Sequence, residues 1–164
     1  MEDKQFLDIA KEASEAEIIE AIHGGANVNA RDSCGSTALI CAAKKGYLEA
    51  VKALIEAGAH LSWEALMFAA EYGHVDIINY LIKAGDDLQA ERKGWALMLA
   101  AKNGHVEAVN ALIRAGASLK NPDGWTALMY AEEKGHAEVI NALIEAGATP
   151  SRDYDRIFSK DFRR

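Results

Sequence analysis

Apolar residues recur in the same order four times along the chain, in "ALICAAKKGYLEAVKALIEAGA" (38–59), "ALMFAAEYGHVDIINYLIKAGD" (65–86), "ALMLAAKNGHVEAVNALIRAGA" (96–117) and "ALMYAEEKGHAEVINALIEAGA" (127–148). Within each unit a leucine and small alanines are spaced as on one helical face. Gly46, Gly73, Gly104 and Gly135 then interrupt the pattern. A second apolar run follows, with the pairs Leu54/Ile55, Leu81/Ile82, Leu112/Ile113 and Leu143/Ile144, and stops at Gly58, Gly85, Gly116 and Gly147. Those terminal glycines suit a left-handed helix C-cap. The pattern predicts helix, turn, helix, connector in every unit.

A fifth, weaker copy opens the chain. "FLDIAKEASEAEIIEAIHGGANVN" keeps the apolar rhythm and the terminal Gly25 but has Ala13 where the other copies carry the interrupting glycine. Helices this short cannot bury their apolar faces alone, so each unit must stack on its neighbours. The two ends of such a stack need polar outer sides. Glu2, Asp3, Lys4, Lys11, Glu12, Glu15 and Glu17 supply one, and Glu132 and Glu133 the other.

The repeated unit resembles the ankyrin repeat, whose "TPLHxAA", glycine-histidine and "LLxxGA" pattern is matched by "GSTALICAAKKGY", "GWTALMYAEEKGH", three Gly-His pairs and the "AGA" endings. The resemblance spans residues 5–150. It implies an all-α ankyrin-repeat solenoid of stacked helix-turn-helix units with short β-turn connectors. One domain, 1–150, would hold repeats at about 5–32, 33–62, 63–90, 91–121 and 122–150. Residues 151–164 would follow as a tail that either caps the last repeat through Ile157, Phe158 and Phe162 or is a flexible basic motif.

Departures from the family pattern are also visible. Its proline is replaced by Ala38, Ala65, Ala96 and Ala127, and its histidine by Ile40, Met67, Met98 and Met129, so the threonine-histidine bonds of the family cannot form. Equivalent leucines lie 27 residues apart from Leu39 to Leu66, then 31 to Leu97 and 31 to Leu128, against a family period of about 33. The connector fingers should therefore be stubby. Before Trp63 the finger should be missing, leaving a notch between the finger of Cys34 and that of Arg92.

The 164 residues are half hydrophobic and carry a net charge of −7, which argues against nucleic acid as a general partner. No apolar run is long enough to span a membrane, and the charged N-terminus is unlike a secretory signal. A cytoplasmic, monomeric protein is the expectation, with Cys34 and Cys41 as free thiols. His74, His105 and His136 recur at intervals of 31 residues, a ladder and not a convergent metal site, so each is read as bonding nearby backbone. No nucleophile elbow, zinc-protease, phosphate-loop or dinucleotide motif occurs. The expectation is a protein without enzymatic activity or cofactor. Asn29, in "GANVNARD", is similar to the asparagine that is hydroxylated in some ankyrin repeats.

The resemblance also implies binding on the concave side, through finger tips and exposed positions of each first helix. Those helix positions are Cys41, Lys44 and Lys45; Phe68, Glu71 and Tyr72; Leu99, Lys102 and Asn103; Tyr130, Glu133 and Lys134. With Arg92, Lys93 and Glu91 of one finger, this face gathers six positive and three negative residues on an acidic molecule. Trp63, Trp95 and Trp125 lie near it, and aromatic anchors dominate many protein interfaces. The partner-binding set is therefore Lys44, Lys45, Trp63, Phe68, Tyr72, Arg92, Lys93, Trp95, Lys102, Trp125, Tyr130 and Lys134. A protein partner bearing an acidic segment fits it, engaged as adaptor or inhibitor. The alternative is a regulatory or structural segment of a larger polypeptide or assembly.

Overall fold

A computed structural model describes residues 1–85, 89–120 and 126–149. Ten helices run through them: α1 (Asp3–Glu12), α2 (Glu15–His23), α3 (Ala38–Lys45), α4 (Leu48–Glu56), α5 (Trp63–Glu71), α6 (Val75–Ala84), α7 (Ala90–Lys102), α8 (Val106–Arg114), α9 (Ala127–Lys134) and α10 (Ala137–Glu145). The odd-numbered helices pack on one another as a first layer, and the even-numbered ones form a second layer behind them. This is an all-α stack of helical pairs.

The layers differ because their side chains differ. Ala42, Ala43, Ala69, Ala70, Ala100 and Ala101 are fully buried between first-layer helices, and such small side chains let backbones approach closely. Leu54, Ile78, Leu81, Val109, Leu112 and Leu143 fill the space to the second layer, joining a single hydrophobic core. Burial of the second layer falls off in the last described repeat. Val51, Ile78 and Val109 are buried, whereas their counterpart Ile140 is only half-buried.

Local chemistry sets where the first helices begin. Thr37 and Thr126 are buried N-caps whose hydroxyls accept the amides of Ile40 at 3.3 Å and Met129 at 3.1 Å. Threonine thus supports its own helix where the family's histidine partner is missing. Ser62 does the same for α5, accepting the Ala65 amide at 3.3 Å. At the start of the chain Ser14 and Glu17 form a reciprocal capping box on α2. The Ser14 hydroxyl and amide hold the Glu17 carboxylate below its usual range.

Repeats lock to one another through backbone acceptors. His74 bonds the Lys44 carbonyl at 3.1 Å, His105 the Glu71 carbonyl at 2.9 Å, and His136 the Lys102 carbonyl at 3.0 Å. In each pair the acceptor belongs to the preceding repeat. Gly46, Gly73 and Gly104 have φ of 79°, 73° and 76°, and a Cβ there would lie 2.6–2.8 Å from the nearest atom of the incoming imidazole. Glycine is needed twice over, for the left-handed backbone and for room.

The first repeat uses different contacts for the same purpose. Ala13 sits at φ −81°, and the histidine position of the next repeat is Tyr47. There the Lys45 ammonium donates to the Ala13 carbonyl at 3.1 Å, and Glu15 accepts the amides of Glu49 at 2.8 Å and Ala50 at 3.0 Å. Asn29 also bridges repeats, donating to the Gly58 carbonyl at 3.0 Å and accepting the His60 amide at 2.8 Å.

Two expectations are corrected. Gly85 does not take the left-handed conformation; it has φ −113° because α6 continues through Ala84 and Gly85 closes a single bond to the Leu81 carbonyl, 2.9 Å away. Arg92 and Lys93 are not on a finger, because α7 starts at Ala90 and carries both in its opening turns. Two contacts pull the chain into helix there. The Lys93 ammonium donates to the Ala115 carbonyl at 2.8 Å, and the Ser118 amide to the Ala90 carbonyl at 2.9 Å.

The other connectors differ in form. Residues 57–62 join α4 to α5 directly. Asp32 closes a tight turn ahead of α3 by accepting the amides of Ser36 at 2.8 Å and Cys34 at 2.9 Å. Its ion pair with Lys11, at 2.7 Å, and these amides depress the Asp32 carboxyl, and the same ion pair raises the Lys11 ammonium. Ahead of α9, Lys120 and Thr126 form an antiparallel bridge.

Candidate protein-binding face

The last turns of the first-layer helices set the chemistry of the exposed edge. Lys44, Lys45, Lys102 and Lys134 fall in the final turns of α3, α7 and α9, where a cation is favoured by the carbonyl end of the helix dipole. Their stems are long enough to cross to the adjacent repeat. Two of them arrive over an aromatic ring of the next repeat.

Lys44 lies 5.8 Å from the Phe68 ring centroid and 5.7 Å from that of Tyr72, within range of cation–π attraction. Tyr72 is itself stacked on His74, with centroids 6.3 Å apart and planes 12° apart. Lys44 and Tyr72 are exposed, while Phe68 is half-buried against the core. One repeat boundary thus presents an ammonium, two rings and an imidazole side by side. Lys102 stands over Tyr130 at 5.8 Å in the same manner, two repeats further along.

The remaining predicted residues are dispersed. Lys45 sits 5.3 Å over the Tyr47 ring and is held by the Ala13 carbonyl, facing the first repeat. Lys93 is engaged with Ala115, whereas Arg92 is exposed at the start of α7. Lys134 pairs with Glu133 at 3.2 Å. Trp63 is the half-buried first residue of α5, and Trp95 is exposed on α7. Trp125 lies outside the described residues, as does the tail 151–164.

The sequence matches the ankyrin-repeat family model, described as ankyrin repeats in three copies, over residues 7–92 and 88–153. The chain belongs to the ankyrin-repeat family. No curated protein matches it. Ankyrin repeats are, as a class, protein–protein interaction modules, and the exposed edge of this ankyrin stack has the chemistry for that role. An ammonium over a ring can take a carboxylate, while the ring flank takes an apolar neighbour.

Other chemistry is sparse on this ankyrin face. Among the described residues no three His, Cys, Asp or Glu side chains gather as metal ligands, and none of the helices is long and apolar enough to cross a membrane. Cys41, at the position equivalent to Phe68, is half-buried; burial pushes its thiol up, away from the reactive thiolate. His74 was expected to be purely structural. Its ring also adjoins the aromatic cluster, a contact signalled in the sequence by "EYGH", where an aromatic residue precedes the Gly-His pair.

Proposed function

We propose that this protein is a non-enzymatic binding module, an adaptor or inhibitor, that engages a protein partner as a monomer on the exposed edge of its first-layer helices. The observation that supports this reading most is the cluster of Lys44, Phe68 and Tyr72, where a cation and two rings are held together at the surface. Rigid rings are desolvated with little loss of side-chain entropy, and the ammonium directs an acidic group onto them.

The test uses residues that other repeats already carry at the same positions. Leu99 is equivalent to Phe68 and Tyr130, and Asn103 to Tyr72, so Phe68→Leu, Tyr72→Asn and Tyr130→Leu together should leave the fold intact. Affinity capture with the intact chain should retain a partner that the triple variant loses, with unchanged urea unfolding of the variant as the control. Undiminished capture by a folded triple variant would refute the proposal.

A further inference from the structure

From the second repeat to the fifth, two positions of the first-layer face repeat every two units, while the first repeat, with Lys11 and Asp8 at these positions, stands outside the alternation. At one ladder position the residues are Lys44, Glu71, Lys102 and Glu133, alternating in sign. Three residues earlier in each helix stand Cys41, Phe68, Leu99 and Tyr130, alternating between non-aromatic and aromatic. The two alternations are in step. A lysine from one repeat therefore meets a ring from the next at the boundaries between the second and third and between the fourth and fifth repeats, with ammonium-to-centroid distances of 5.8 Å at both.

From this two-repeat period we infer that the face takes one extended protein segment carrying two carboxylates, one on Lys44 over Phe68 and the other on Lys102 over Tyr130, with a basic or neutral residue opposite Glu71 between them. This rests on the reading of the first layer as the partner surface and adds the charge pattern of the partner. Neighbouring packed helices lie about 8–10 Å apart, so two repeats separate the lysines by roughly 16–20 Å. An extended segment advances about 3.3 Å per residue, which places the two carboxylates five to six residues apart. A third carboxylate midway would face Glu71 and be repelled. Two weak sites on one rigid stack gain affinity together only when the segment spans them.

Two peptides of identical composition and net charge separate this from general attraction of acids to lysine. Both are built on a polyproline backbone, which is stiff and advances about 3.1 Å per residue. The first carries Asp at positions i and i+6 and Lys at i+3; the second carries Asp at i and i+3 and Lys at i+6. Titrated into the 15N-labelled protein at low salt, the first peptide should bind about tenfold more tightly. It should shift resonances around both Phe68 and Tyr130. Lys44→Gln and Lys102→Gln should each reduce its affinity to that of the second peptide.

Equal affinities for the two peptides would overturn the inference, as would an affinity for the first that survives either lysine substitution. The absence of any shift at millimolar peptide would overturn it as well. None of these results touches the partner capture by which the function itself is tested, because that experiment does not depend on spacing. Retained capture with equal peptide affinities would leave the binding face in place and remove the two-carboxylate pattern.

Discussion

Single residues of this chain act across repeat boundaries, and the paired Gly and His positions show it best. Gly73 combines a φ of 73° with an imidazole 2.7 Å from where its Cβ would be, whereas Gly135, also at 73°, has nothing within 4 Å among the described residues. Gly135→Ala therefore meets only the left-handed strain, about 1–2 kcal/mol. Gly73→Ala adds displacement of His105 from the Glu71 carbonyl, for a further 1–3 kcal/mol or so by comparison with overpacked cores. Urea unfolding of the two variants measures the difference. Equal destabilisation would mean that the histidine does not couple the repeats.

At the level of elements, helices are started by groups that the repeat itself does not always contain. Two N-terminal amides of α4, those of Glu49 and Ala50, have Glu15 of the preceding repeat as their acceptor, a carboxylate also well placed for the helix dipole. Glu15→Ala should destabilise the protein by about 1 kcal/mol, the usual scale of a lost N-cap. It should also speed hydrogen exchange at Glu49 and Ala50 before other α4 amides. Exchange that rises evenly through α4 would show that the contact is incidental.

Helix positions were legible in the sequence because the apolar period and the interrupting glycines point the same way, although the Thr37 and Thr126 caps emerged only with the structure. The start of α7 was not. Gly94 and Trp95 replace the residues that precede a first helix elsewhere, and without a capping hydroxyl the shortened connector read as a finger. What makes residues 90–94 helical is tertiary: Lys93 reaches Ala115, Ala90 pairs with Ser118, and Gly94 leaves room for Ser118, whose carbonyl would lie 2.8 Å from an added Cβ. The same limit applied to the candidate site. Lys44, Phe68 and Tyr72 lie side by side, but Lys45 and Lys93 could not be recognised as backbone-bonding lysines from their positions alone.

For the whole molecule, the net charge of −7 conceals a division of labour. Acidic residues such as Glu49, Glu56, Asp76, Glu107, Glu138 and Glu145 stand exposed or partly exposed on second-layer helices. Lysine with aromatic residues marks the first layer. Such a stack is stabilised by nearest-neighbour interfaces, so it can present a long, rigid edge without a separate binding domain. The sequence revealed the two layers through repetition; the two-repeat alternation within the first layer became meaningful only when the Lys44–Phe68 and Lys102–Tyr130 distances proved equal.

Hydrogen–deuterium exchange of the protein with and without its captured partner tests the binding edge most directly. Protection should concentrate in the last turns of α3, α5, α7 and α9 and the turns that follow, around Lys44, Tyr72, Lys102 and Lys134, with α4, α6, α8 and α10 largely unchanged along their outer faces. Protection confined to the second-layer helices, with the first-layer edge exchanging as in the free protein, would contradict it.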